Sequence, residues 1–232
     1  MDFLVWDLPG QIDFFDPTFD TEAIFSGIGA VIWVLDPKDS YNDAIGRLVE
    51  TIVHLQSLDE TIKYSVFIHK TDSLSDDVRD DVVSEVQQRV SDDLLDAGLE
   101  NPPVTFYPTS IYDHSIFEAF SLVIQGLVPQ LPYFEGLLTS LAANCRFEKV
   151  YIFDVLSKIY IASDAGMADL ATYGLCSDFI DVIVDLSELY GWDRGEVDAP
   201  ETERSKDVVA QTAESFVSNF KGCSLYLKEI NR

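Results

Sequence analysis

The sequence predicts an α/β fold: a parallel sheet interleaved with helices, followed by a smaller α+β unit. Two observations carry that prediction. Up to residue 128, four short apolar runs alternate with longer amphipathic stretches. These runs are nearly continuous in apolar, β-branched and aromatic residues, as strands covered on both faces are. After Pro129-Gln130-Leu131-Pro132 the order changes to a helix, two closely spaced strands and a long helix. The domain boundary is therefore expected between 128 and 129, and 232 residues suffice for one large domain or two small ones.

The predicted strands of the first part are Phe3–Trp6, Ala30–Leu35, Tyr64–Ile68 and Val104–Tyr107. Ile45, Leu48, Val49 and Ile52 share one helical face, as do Val82, Val86, Val90 and Leu94 on the next segment. A third helix is expected from Ser115, where Ser115-Ile116-Phe117-Glu118 reads as a capping box. Its stripe is Ile116, Phe120, Val123, Ile124 and Leu127, and Pro129 ends it. Strand, helix, strand, helix implies parallel pairing with right-handed crossovers. In the second part a helix near Phe134–Ala143 precedes an antiparallel hairpin of Val150–Phe153 with Lys158–Ile161. A long helix follows, with Tyr173, Cys176, Ile180, Ile183 and Val184 in register, then an exposed charged loop over 191–207. Ser224–Leu227 is a last strand, expected to stand unaccompanied.

Composition narrows the function. Hydrophobic residues make up 47%, which excludes wholesale disorder. The net charge of −26 repels phosphate backbones and anionic headgroups, so no nucleic-acid partner and no direct membrane insertion are expected. Apolar runs such as Ala30–Leu35 fall far short of the roughly 20 residues of a membrane span. Residues 1–20 hold aspartates but no lysine or arginine, unlike a secretory or mitochondrial presequence. Cys145, Cys176 and Cys223 are odd in number and widely spaced, which fits reduced thiols in the cytosol better than a zinc site.

Three loops at the carboxyl ends of predicted parallel strands, where open α/β sheets hold ligands, carry the chemistry. In Asp7-Leu8-Pro9-Gly10-Gln11, the Asp can hold a magnesium shell, Gly10 can offer its N–H to a γ-phosphate, and Gln11 can orient an attacking water; an ordinary turn is the alternative. In His69-Lys70-Thr71-Asp72, the Asp72 carboxylate can accept from guanine N1–H and its exocyclic amine, donors that adenine does not pair. The Lys70 stem can lie across the base while its charge stays solvated. The alternatives are a satisfied histidine at a strand end and, for Asp72, a helix-entry cap. In Thr109-Ser110-Ile111, backbone N–H groups could meet the base carbonyl, or the loop could be a plain turn. Their order, at successive strand ends, suits a guanine-nucleotide domain.

Other patterns carry less. Asp113-His114-Ser115 holds triad residue types, but consecutive residues cannot converge on one atom. Asp76-Asp77, Asp80-Asp81 and Asp92-Asp93 read as a solvated acidic helix face, with Asp76 and Asp77 following the cap Ser75. Ser26-Gly27-Ile28-Gly29 precedes its strand and so is no dinucleotide fingerprint. Tyr151, Phe153 and Tyr160 read as core and dimer interface, with Tyr160 expected to face a partner.

Trp6-Asp7-Leu8-Pro9-Gly10-Gln11 with Phe14–Pro17, then His69–Asp72, then Thr109-Ser110-Ile111-Tyr112-Asp113-His114-Ser115-Ile116-Phe117-Glu118-Ala119-Phe120 resembles the Rag/Gtr GTPases, specifically the RagC/RagD branch. Phe147–Val155 and Ser157–Ile161 agree, so the resemblance covers nearly the whole chain except roughly 192–215. It implies a partial Ras-like P-loop GTPase domain over 1–128, from switch II to the last helix, and an incomplete roadblock/longin-like dimerisation domain over 129–232. It implies GTP or GDP with Mg2+ as cofactors, Gln11 as the catalytic residue, and Asp7, Gly10, His69, Lys70, Asp72, Ser110 and Ile111 as nucleotide-binding residues, Asp7 acting indirectly through the magnesium shell. It also implies a heterodimer with a RagA/RagB-like subunit that relays amino-acid sufficiency to TOR complex 1 through scaffolds at the lysosomal or vacuolar surface, with the nucleus as a further location. None of the 12 glycines is followed by lysine, so Gly-x-x-x-x-Gly-Lys-Ser/Thr is absent in any register. The expectation is a fragment or incomplete gene prediction, inactive in hydrolysis without its P-loop; a genuinely reduced, non-catalytic roadblock-type scaffold is the alternative.

Overall fold

The computed structural model describes residues 3–10, 18–39, 41–99, 103–165, 170–189, 214–218 and 224–228. They belong to two compact units, Met1–Met167 and Ala168–Arg232.

The first unit is built on a parallel sheet of β1 (Ala30–Leu35), β2 (Lys63–His69) and β3 (Val104–Thr109), in that order. Trp33 lies beside Val66, and Val66 beside Phe106. Period-two alternation sends Tyr64, Val66 and Ile68 to one face and Phe67 to the other, and both are apolar, which explains the unbroken runs. α2 (Asn42–Leu58) and α3 (Asp76–Asp96) cover the first face, burying Ile45, Leu48, Ile52 and Leu55 from one and Val86, Val90 and Leu94 from the other. Each such side chain contributes about 1.5–3 kcal/mol on leaving water. α4 (Ser115–Leu127) covers the second face, where Phe67 meets Tyr107 and Phe120 edge-on. A short α1 (Thr21–Phe25), unforeseen in the sequence, is capped by Asp20, whose carboxylate accepts from Ala23 N at 3.1 Å. Gly29 is fitted to α4: a Cβ there would lie 2.8 Å from Leu127 Cδ2.

Three expectations need correction in this unit. Phe3–Trp6 forms no strand; Leu4, Val5 and Trp6 are 80%, 80% and 63% exposed. Apolar composition alone makes no strand without a neighbour to complete its hydrogen bonds, and among the described residues β1 pairs only with β2. The α4 entry is not the expected capping box. Ser115 is already helical, its amide is accepted by Asp113 Oδ1 at 2.9 Å, and its own hydroxyl is spent on Asp113 and on the Ser110 amide. Tyr160 does not face outward. It is 2% exposed, and its backbone is held on α4 by Ser121 Oγ and by Gln125 Nε2.

α5 (Leu131–Cys145), with Pro132 in its first turn, contains the predicted Phe134–Ala143 helix. The predicted hairpin is present as β4 (Tyr151–Phe153) antiparallel to β5 (Tyr160–Ser163). Its aromatics Tyr151, Phe153 and Tyr160 cluster at ring distances of 5.4–6.2 Å. The Lys149–Asp164 pair, 3.3 Å apart and almost buried, closes the open end of the hairpin.

In the second unit, α6 (Leu170–Leu189) buries Tyr173, Ser177 and Ile180. Burial raises the Cys176 thiol to about 11, which keeps it protonated and inert. Ser224–Leu227 is not unaccompanied: it lies in β7 (Ser224–Lys228), antiparallel to β6 (Glu214–Ser218), a strand too short and too polar to stand out in the sequence. The 191–207 loop and Cys223 lie outside the described residues. No helix among the described residues is long and apolar enough to cross a membrane.

Candidate functional site

Parallel register brings the carboxyl ends of the three strands side by side, with Leu35 opposite Ile68 and His69 opposite Thr109. The loops that leave them are bonded to one another. His69 Nδ1 lies 3.0 Å from Thr109 Oγ1, and the buried Thr71 hydroxyl donates to the Thr109 carbonyl at 3.2 Å. Lys70 adopts a left-handed backbone, φ 68°, which turns the chain off β2 into a single 3₁₀ turn, Thr71–Ser73. That turn carries Asp72 to Ser110, whose hydroxyl donates to Asp72 Oδ1 at 2.7 Å and accepts from Tyr112 N at 3.0 Å. Asp72 is therefore part of a 3₁₀ turn and not the cap of α3, a position that Ser75 holds.

His69, Lys70, Asp72, Ser73, Ile111, Tyr112 and Lys38 line a shallow pocket of about 220 Å³. The Lys70 ammonium donates to Asp36 Oδ2 at 2.6 Å, and the Lys38 amide to Asp36 Oδ1 at 2.9 Å. The hydrogen bond from Lys70, then that from the Lys38 amide, holds the Asp36 carboxyl below the usual carboxylate range; Asp36 in turn raises Lys70. With one acceptor position taken by Ser110, an ionised Asp72 keeps capacity for two further donors side by side. The Ser110 amide is spent on Ser115 Oγ, while the Ile111 N–H has no hydrogen-bond partner among the described residues.

Five sequence-derived candidates are thus gathered at one place: His69, Lys70, Asp72, Ser110 and Ile111. Asp7 and Gly10 are not among the pocket's lining residues; both are exposed, and the Gly10 carbonyl accepts from Arg47 Nη1 of α2 at 2.9 Å. Gln11 lies outside the described residues. At this pocket the Asp72 carboxylate offers acceptors and the Ile111 N–H a donor, the polarity that a guanine base edge requires. No group of three His, Cys, Asp or Glu side chains that could hold a metal ion comes together among the described residues. Asp36, Lys38 and Tyr112 were missed in the sequence. Asp36 had a usable signal, since it directly follows an apolar strand, as the other two loops do.

The Gtr1/RagA G protein conserved region matches residues 1–180. The chain is 47% identical over all 232 of its residues to "Ras-related GTP-binding protein D" of Mus musculus, covering 50% of that protein. It is 53% identical over 191 residues, 82% of the chain and 61% of the relative, to "GTP-binding protein gtr2" of Schizosaccharomyces pombe. To "Ras-related GTP-binding protein C" of Homo sapiens it is 52% identical over 191 residues, 82% of the chain and 48% of that relative. The chain spans about half the length of the curated relatives it matches. A parallel sheet covered by helices on both faces, with loops converging at the strand ends, is the arrangement of a Ras-like GTPase domain. This chain belongs to the Gtr1/RagA G-protein family, on its RagC/RagD side.

Proposed function

We propose that the chain supplies the guanine-recognising side of the nucleotide site in a Rag-type GTPase subunit. The observation that carries this reading is the Asp72 carboxylate, held by Ser110 at 2.7 Å on a pocket shared with Lys70 and Ile111. A fixed carboxylate selects guanine because N1–H and the exocyclic amine present two parallel donors, whereas adenine offers no such pair. Asp7 and Gly10, with Gln11, serve the magnesium and γ-phosphate side in the intact protein, where hydrolysis requires phosphate-binding groups that the 232 residues do not contain in P-loop form.

Residues 129–232 form the dimerisation half, paired with a RagA/RagB-like subunit, and the heterodimer relays amino-acid sufficiency to TOR complex 1 at the lysosomal or vacuolar surface. The exposed row Tyr133, Leu137 and Leu141 on α5 supports an apolar interface there. The second reading, a non-catalytic scaffold, is favoured by the missing Gly-x-x-x-x-Gly-Lys motif. Titrating labelled GDP and ADP into the full-length protein, co-expressed with a RagA/RagB-like subunit, separates the two. Tight GDP binding with ADP excluded is the expected result; no binding of either favours the scaffold.

A further inference from the structure

Asp36 lies one residue beyond β1, and both of its carboxylate oxygens are engaged at the pocket rim. Oδ1 is fixed by the Lys38 amide within its own turn, while Oδ2 holds the Lys70 ammonium. The Asp36 side chain is 21% exposed and that of Lys70 61%, so the anchored end of the pair is the carboxylate. Lys70 immediately precedes the 3₁₀ turn bearing Asp72, and its left-handed backbone is the bend on which that turn depends. One carboxylate just beyond β1 therefore ties down the loop that β2 presents to the pocket.

An untethered lysine at a strand end samples many rotamers, and ordering it when a ligand arrives weakens binding. We infer that Asp36 is a positioning residue for guanine-nucleotide binding, acting through Lys70 by holding its ammonium at the pocket rim before the base enters. This rests on the reading of the pocket as a guanine site. A surface ion pair with a merely structural role would alter stability slightly and leave ligand affinity alone.

Labelled GDP is titrated into the full-length protein carrying Asp36→Asn, Lys70→Ala, both together, Asp36→Glu or Asp72→Asn, with melting temperature measured alongside. Asp36→Asn is expected to weaken GDP binding about fivefold, the upper end for an exposed pair, with little change in melting temperature. In the Lys70→Ala background it adds no further loss, because its effect passes through that side chain. Asp36→Glu recovers part of the affinity and, should Asp36→Asn fail to fold, carries the same cycle. Unchanged affinity in Asp36→Asn, or a full further loss on top of Lys70→Ala, overturns the inference. If that happens while Asp72→Asn still weakens binding, the guanine reading survives alone; if wild type binds no GDP or Asp72→Asn binds it normally, both fail.

Discussion

The loops after β2 and β3 and the segment Phe3–Gly10 carry the same kind of residue, yet the fold treats them differently. His69, Thr71, Asp72, Thr109 and Ser110 are bonded to one another, and Thr109 and Ser110 are fully buried. Phe3–Gly10 is exposed throughout, its apolar residues included, with Arg47 reaching its Gly10 carbonyl. Each loop of the first region leaves a strand whose neighbours are in register, so its functional groups inherit the precision of the sheet. Among the described residues, no paired strand stands behind the second region. Placement of a side chain is thus set less by the motif around it than by the ladder that precedes it.

Stability should divide along the same line. Ile52→Ala, under the β1–β2–β3 sheet, is expected to cost about 2–5 kcal/mol in denaturant unfolding, while Trp6→Ala stays within about 0.5 kcal/mol. A comparable loss at Trp6 would show that the segment is packed after all. Within the bonded region, Ser110→Ala removes the hydroxyl that orients Asp72. GDP affinity of the full-length protein should then fall by about 0.5–1.5 kcal/mol, the net worth of one hydrogen bond, and unchanged affinity would mean that Asp72 holds its place without Ser110.

The smallest effect at neutral pH is expected at Tyr64. Its hydroxyl is buried without a hydrogen-bond partner among the described residues, and desolvation raises it to about 12. Because the unfolded tyrosine ionises near its usual value of about 10, this group's contribution is complete below that pH and declines as pH rises towards 12. Tyr64→Phe should leave stability at pH 7 unchanged or slightly higher and flatten the alkaline decline. An equally steep decline in the variant would place the titrating group elsewhere.

Much of the fold was legible because burial writes itself into periodicity. The 3.6-residue stripes of α2 and α3 and the continuous runs of β1, β2 and β3 are core positions. Phe3–Trp6 misled because the same composition marks a strand whether or not a neighbour is present to pair with it. β6 escaped because Glu214–Ser218 has only Phe216 and Val217 as apolar residues, and its pairing with β7 is a long-range fact. Asp72 and Ser110 could be found from loop order, but their hydrogen bond could not, since it depends on how the 3₁₀ turn after Lys70 swings towards β3. Asp36 could be found as the residue that follows an apolar strand, but its bond to Lys70 could not, since that depends on the register of β1 beside β2.

The central claim is that Asp72 reads the base edge, and exchanging one of its oxygens for a donor tests it most directly. Asp72→Asn places an amide N–H opposite the guanine amine but leaves it complementary to xanthine, which carries a carbonyl at that position. GDP and XDP are titrated into the wild-type and Asp72→Asn full-length proteins. The account predicts that the variant loses GDP affinity by about 1.5–3 kcal/mol, as for a hydrogen bond to a charged group, and gains affinity for XDP. Undiminished GDP binding in Asp72→Asn, with XDP no better bound than by wild type, would contradict it.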